Sequence, residues 1–273
     1  MTLEKSRPVN LPDFHKPPLN EVVLGVQFSP PRGYQQIRAG EVWDLFRSQF
    51  PLVEEQPPLA PSFETFGLTP FPMPFSFGVL AGAQHDRFWF LAPKKEELIQ
   101  FQQDRLLHNW RKVGDQSNEY PRFENMISRF ESELLSLERY FHSIEPRDLL
   151  CNQVEISYIN HIALEAGMPN AAADWVKFLD FGAAQPDDII MTTRDTITGP
   201  HGVPFARFQC DFNTAVRPSG SKMYVLALTV RGAPLGPTIS DAVNFLKMGR
   251  ELIVQKFASI TTETAHGIWE RLQ

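Results

Sequence analysis

The sequence predicts an α+β fold in which two β-α-β-β-β-α repeats form one curved antiparallel sheet with helices on one face. Three observations predict it. Short segments of alternating apolar and polar residues recur between turn-forming clusters. Two longer segments, near 123–141 and 239–260, carry apolar residues at steps of three and four. The opening of the chain recurs in its second part at an offset of 132 positions.

Residues 1–19 are polar, hold Pro8, Pro12, Pro17 and Pro18, and read as an extended lead-in. Val22, Leu24, Val26 and Phe28 then alternate with Val23, Gly25 and Gln27 as a strand stopped by Pro30-Pro31. Val42, Trp43, Leu45, Phe46 and Phe50 fit a short helix over 40–50 that Pro51 ends. Residues 51–77 contain seven prolines together with Phe63, Phe66, Phe71, Phe75 and Phe77. Proline disfavours regular ladders, so this is an ordered loop clamped to the body, or a lid, and a candidate partner-binding segment. Phe88–Leu91, Leu98–Phe101 and Leu106–Trp110 follow as a meander of short strands. Phe123, Met126, Ile127, Phe130, Leu134, Leu137 and Phe141 form the clearest helix stripe, with Pro121 near its start and Pro146 beyond its end.

The second part, 146–273, repeats this order. Val154, Ile156 and Tyr158 alternate as a strand, and Trp175, Val176, Phe178 and Leu179 read as a short helix. Strands follow at about 188–197, 204–215 and 222–231, separated by Gly199-Pro200-His201-Gly202 and Pro218-Ser219-Gly220-Ser221. The last helix, 239–260, opens with a capping-box pattern at Thr238 and Asp241. At an offset of 132, Asn20 matches Asn152, Val22 matches Val154, Trp43 matches Trp175 and Phe46 matches Phe178. Duplication of one unit, 20–145 and 146–273, explains this register, and the two copies form one compact body. That layout is similar to duplicated folds of the TATA-binding-protein type, a likeness of shape that carries no function.

Composition narrows the chemistry. The net charge is −6 and neither half is basic, so nucleic acid is an unlikely partner. No apolar run reaches the roughly 20 residues of a membrane span. Met1 to Asn10 lacks the apolar core of a signal peptide. Cys151 and Cys210 are far apart and read as buried thiols in a reducing compartment, which predicts a cytoplasmic location. The seven histidines are scattered and no phosphate cradle, nucleophile elbow or zinc motif occurs, so no cofactor, metal or catalytic residue is assigned. The SxxK string at Ser219–Lys222 and the pair Asp187-Asp188 read as turns.

One constellation is worth keeping. Glu155, Ser157 and His161 share the non-core face of one strand; Arg207, Gln209 and Asp211 share that of another, with Arg194 or Asp195 from a third. On an open sheet these converge as a ligand- or partner-binding surface. The first half offers Gln27, Gln100 and Gln102 there, without an acid or base. The leading expectation is a non-catalytic binding module with a protein partner or self-association. The alternative is a small-ligand receptor or enzyme with a pocket near Glu155, Arg207 and Asp211.

Pro17-Pro18-Leu19-Asn20-Glu21-Val22 with Gln27-Phe28 resembles the opening of a sporadically distributed prokaryotic family of roughly this length. Asp104-Arg105-Leu106, Asn109-Trp110 and Tyr120-Pro121-x-Phe123 resemble its middle signature. The family has no established activity, so the resemblance transfers no mechanism. It implies a whole-chain unit in a prokaryotic cytoplasm, in an accessory or defence-related role.

Overall fold

The computed structural model describes residues 8, 10–67, 87–114, 117–165, 167–182, 185–217 and 219–273. Phe71 and Phe75 lie outside the described residues, as do Phe77 and Pro218.

Among the described residues, nine strands form one open antiparallel sheet. They are β1 (Leu19–Phe28), β2 (Leu52–Gln56), β3 (Arg87–Leu91), β4 (Glu97–Gln102), β5 (Arg105–Arg111), β6 (Cys151–Ala163), β7 (Ile190–Thr198), β8 (Pro204–Val216) and β9 (Lys222–Gly232). Their order across the sheet is β2-β3-β4-β5-β1-β6-β9-β8-β7. The helices are α1 (Ala39–Asp44), α2 (Phe123–Ile144), α3 (Ile239–Ile260) and α4 (Glu263–Ile268). No helix of the described residues is long and apolar enough to cross a membrane.

Period-two patterning sorts the strand residues between two faces. Val22, Leu24, Val26 and Phe28 of β1 join Val154 and Ile156 of β6, Leu228 and Val230 of β9, and Phe208 and Phe212 of β8 in the core. Both long helices pack on this face. Phe141 of α2 meets Phe28 edge-on at 5.7 Å between ring centroids. On α3, Gly249 lets the helix approach so closely that an added Cβ would lie 2.6 Å from Ile156 Cγ2. Thr238 caps α3: its Oγ1 accepts from Asp241 N–H at 3.1 Å, and Asp241 Oδ2 accepts from Thr238 N–H at 3.1 Å.

β1 and β6 pair at the centre of the sheet, with four further strands beyond β1 and three beyond β6. Leu24 lies opposite Ile156, Val22 opposite Tyr158 and Val26 opposite Val154. Leu24 and Ile156 are themselves separated by 132 positions, and that offset carries Val22 to Val154 and Val26 to Tyr158. The helices α2 and α3 each span 22 residues. Every buried position of α2, from Phe123 to Phe141, falls on a buried position of α3 when shifted by 116.

Three elements differ from expectation. Residues 52–56 form the edge strand β2 inside the segment expected to lack ladders, because Leu52–Gln56 is a proline-free run between Pro51 and Pro57. Trp175–Leu179 is not a helix. A 3-10 turn at Ala172–Asp174 precedes it, and Val176 bridges Thr261 while buried Trp175 stacks on Trp269 at 5.8 Å. The short helix α4 was not visible as a stripe; Thr262 opens it by accepting from Ala265 N–H.

Candidate functional site

The face of the sheet away from α2 and α3 is polar, and it is not bare. Residues 57–67 lie across it without a helix or strand of their own. Their partners follow the order of the strands. Arg87 of β3 donates through Nε to the Pro57 carbonyl at 3.2 Å. On β4, Gln102 accepts from Leu59 N–H at 2.8 Å and donates to the Leu59 carbonyl at 2.9 Å. Arg105 of β5 donates to the Ala60 carbonyl at 3.2 Å. On β1, Gln27 donates to the Ser62 carbonyl at 2.8 Å and accepts from Ser62 N–H at 3.2 Å. Arg231 of β9 reaches Glu64 at 3.5 Å. Arg207 of β8 pairs with Glu64 at 3.4 Å and donates twice to the Thr65 carbonyl, at 3.0 and 2.5 Å.

The spread of these contacts favours an extended path for the strap. From β3 to β8 is six strand spacings, roughly 29 Å at about 4.8 Å each. The eight steps from Pro57 to Thr65 span at most about 27–29 Å. Proline suits this path, because Pro57, Pro58 and Pro61 hold an extended φ and bring no N–H that needs an acceptor. The face correspondingly supplies mostly donors. The strap is held chiefly by its backbone, and Phe63 points outward with 58% of its surface exposed. Phe66 lies under the Arg207 guanidinium at 5.5 Å.

Beneath the strap is a half-open cavity of about 200 Å³, lined by Gly25, Gln27, Leu107, Gln153, Glu155 and Arg231 among others. Gly25 opposes Leu107 and Glu155 in the ladders, and an added Cβ there would lie 3.2 Å from Leu107 Cγ, so the neighbouring side chains close over it. Gln153 is 4% exposed, and its Nε2 has no hydrogen-bond partner among the described residues.

The residues singled out from sequence fall on this face in separate groups. Glu155 is ion-paired with Arg231, and through Arg231 and Glu64 it joins Arg207. Ser157 shares a 2.7 Å hydrogen bond with Thr229. Gln209 donates to Asp211 at 2.8 Å and accepts from Arg194 at 3.0 Å, while Asp211 accepts from Thr192 at 2.6 Å. His161 stands apart near the end of β6, its pKa lowered by burial and by Arg217. Asp195 faces the helices, where Lys256 reaches it at 3.3 Å. The cavity lining includes Glu155 but neither Arg207 nor Asp211.

The first half of the face carries more than its glutamines. Gln100 accepts from Trp89 Nε1 at 3.1 Å and donates to Asn109 at 2.9 Å, and Asn109 donates to Glu21 at 2.6 Å. Burial raises the Glu21 pKa against the opposing pull of Asn109 and Arg111. Trp89 lies between the guanidinium groups of Arg87 and Arg111, at 5.7 and 5.4 Å. The expected lack of an acid or base here is therefore corrected. Glu21 and Arg105 sit at strand ends, where alternation is hardest to read.

Among the described residues, no group of three or more His, Cys, Asp or Glu is placed to hold a metal ion. Cys151 and Cys210 are buried and free, and burial pushes their thiols up to about 12 and about 11. Comparison of the chain with protein-family models, characterised proteins and solved structures returned no match.

Proposed function

We propose that this protein is a non-catalytic binding module whose helix-free sheet face receives an extended, proline-bearing polypeptide from a partner protein. The observation that supports this reading is the seating of residues 57–67. Gln27 and Gln102 each grip both the N–H and the carbonyl of one strap residue, and three arginines donate to further carbonyls. Such contacts read an extended backbone rather than particular side chains, as in strand-addition modes of peptide recognition. The strap then acts as a resident occupant, and Phe63 and Phe66 offer the partner an apolar foothold.

The scaffold, in the same reading, arose by duplication of one α+β unit. The match of Leu24 to Ile156 and the equal lengths of α2 and α3 support it. The strap belongs to the first copy and lies over both, which leaves one binding face rather than two.

A labelled synthetic peptide with the sequence of residues 57–67 tests the proposal by fluorescence anisotropy. The chain with 57–67 replaced by an equally long Gly/Ser linker is expected to bind it with a Kd on the order of 1–100 µM, and the intact chain far more weakly. A folded linker variant that leaves the peptide free would overturn the reading.

A further inference from the structure

On the opposite side of the sheet, a second, half-open cavity of about 80 Å³ lies between the lead-in at Pro12–Leu19, the start of α2 and the middle of α3. Its walls are mostly apolar, with Phe14, Leu19, Leu228, Ile253 and Phe257 prominent. One end is polar. Arg250 is only 4% exposed there, donates through Nη2 to Glu124 at 3.1 Å, and lies 5.3 Å from the centre of the Phe123 ring. Its Nε–H is buried without an acceptor among the described residues. Beside it, Tyr120 and Tyr158 share one hydrogen bond of 3.2 Å between their hydroxyls. Two hydroxyls in one such bond leave a second O–H hydrogen to donate.

This polar end is an addition to the core. In the helix correspondence, shifting Leu134 of α2 by 116 positions gives Arg250, and in the strand correspondence shifting Val26 by 132 gives Tyr158. The first half fills both places with apolar side chains, so the scaffold does not require an arginine or a tyrosine there. A buried donor without an acceptor costs about 1–3 kcal/mol, and a ligand oxygen relieves it.

The charges identify the ligand class. Arg250 is matched by Glu124, and Arg122 at the rim by Asp13 at 3.4 Å. A charged ligand would therefore enter an already neutral site and remain unpaired, which burial penalises. We propose that this cavity binds a small, uncharged, largely apolar molecule whose single acceptor oxygen, a ketone or an ether, takes hydrogen bonds from the Arg250 and tyrosine end.

Three probes of nearly equal size separate the possibilities on the full chain by ligand-observed NMR and calorimetry. Acetophenone carries a neutral acceptor, ethylbenzene has none, and benzoate is an anion. Acetophenone is expected to bind about tenfold or more tightly than either, the factor that one satisfied buried donor supplies. The double variant Arg250→Leu/Glu124→Leu, which restores the leucine found in α2, should bring acetophenone and ethylbenzene within about twofold of each other. Val254→Trp, at the cavity wall, should abolish binding of all three while circular dichroism and thermal unfolding show a folded chain. Tighter binding of benzoate, equal binding of acetophenone and ethylbenzene to the natural chain, or no binding of any probe would each overturn the proposal.

Discussion

Gln102 holds Leu59 by both its N–H and its carbonyl, accepting from the N–H at 2.8 Å and donating to the carbonyl at 2.9 Å. Gln27 treats Ser62 in the same way. A side-chain carboxamide here does what a neighbouring strand does, without adding a strand. Each glutamine makes two hydrogen bonds, so Gln102→Leu should lower stability by about 1–3 kcal/mol. Gln27→Leu should cost a similar amount, and the double variant should cost less than the sum because both grip one strap. Urea unfolding of the four proteins measures this.

Glu64 ties the strap to two arginines of the second half, Arg207 at 3.4 Å and Arg231 at 3.5 Å. Arg207 keeps its carbonyl acceptors and Arg231 keeps Glu155 when Glu64 is neutralised. Glu64→Gln should therefore cost about 1–2 kcal/mol, below the 3–5 of an uncompensated buried charge. Arg207→Met removes the carbonyl contacts as well and should cost more. Thermal unfolding at matched pH gives the order.

His108 is fully buried and hydrogen-bonded through Nδ1 to Glu133 at 2.8 Å, with Glu97 3.9 Å from Nε2. Burial alone lowers its pKa; the charge and hydrogen bond of Glu133, with Glu97, outweigh burial, and the net shift is upward. A raised folded-state pKa contributes stability that is complete below the unfolded value near 6.5 and is lost as pH rises through the folded value. The stability advantage of the natural chain over the double variant His108→Val/Glu133→Gly, which removes both members of the pair, should be largest near pH 6 and shrink towards pH 9. Chemical unfolding across that range measures it; an advantage that grows with pH contradicts the assignment.

Gly249 sets how closely α3 approaches the sheet, and Gly232 how closely β9 passes its neighbour β8. A Cβ at Gly249 meets Ile156 Cγ2 at 2.6 Å, and one at Gly232 meets the Phe205 carbonyl oxygen at 2.3 Å. Alanine at 249 improves helix propensity by about 1 kcal/mol but overpacks the α3–sheet contact by about 1–3, for a net loss. Gly232→Ala presses on backbone, which yields less than the tip of an isoleucine, and should cost more. Comparison of the two unfolding midpoints tests this ranking.

Much of the fold was legible because its signals are local. Alternation at Val22–Phe28 and Val154–Tyr158 placed the central strands, and the spacing from Phe123 to Phe141 placed α2 in advance of the structure. The offset between Leu24 and Ile156 even coincides with their ladder pairing. The site was legible only as a set of polar residues on one face. Its organisation depends on residues 57–67, whose carbonyls carry most of the contacts, and a carbonyl leaves no pattern in a sequence. Arg87, Arg105 and Arg231 read alone as strand-end or surface charges until the strap gives them acceptors. Trp175–Leu179 read as helical because its apolar spacing fits a short turn, while Trp175 and Val176 instead pack against α4 and its flank.

Hydrogen exchange at the Leu59 and Ser62 amides tests the seating of the strap most directly. Both amides lie outside any helix or strand, and both donate to glutamine side chains of the face. Exchange about 100-fold or more slower than in an unstructured peptide is predicted for both, with Leu59 accelerated in Gln102→Leu and Ser62 in Gln27→Leu. Exchange at the unstructured rate in the intact chain would show that residues 57–67 do not occupy the face, and the account of that face as a seat for an extended polypeptide would fail.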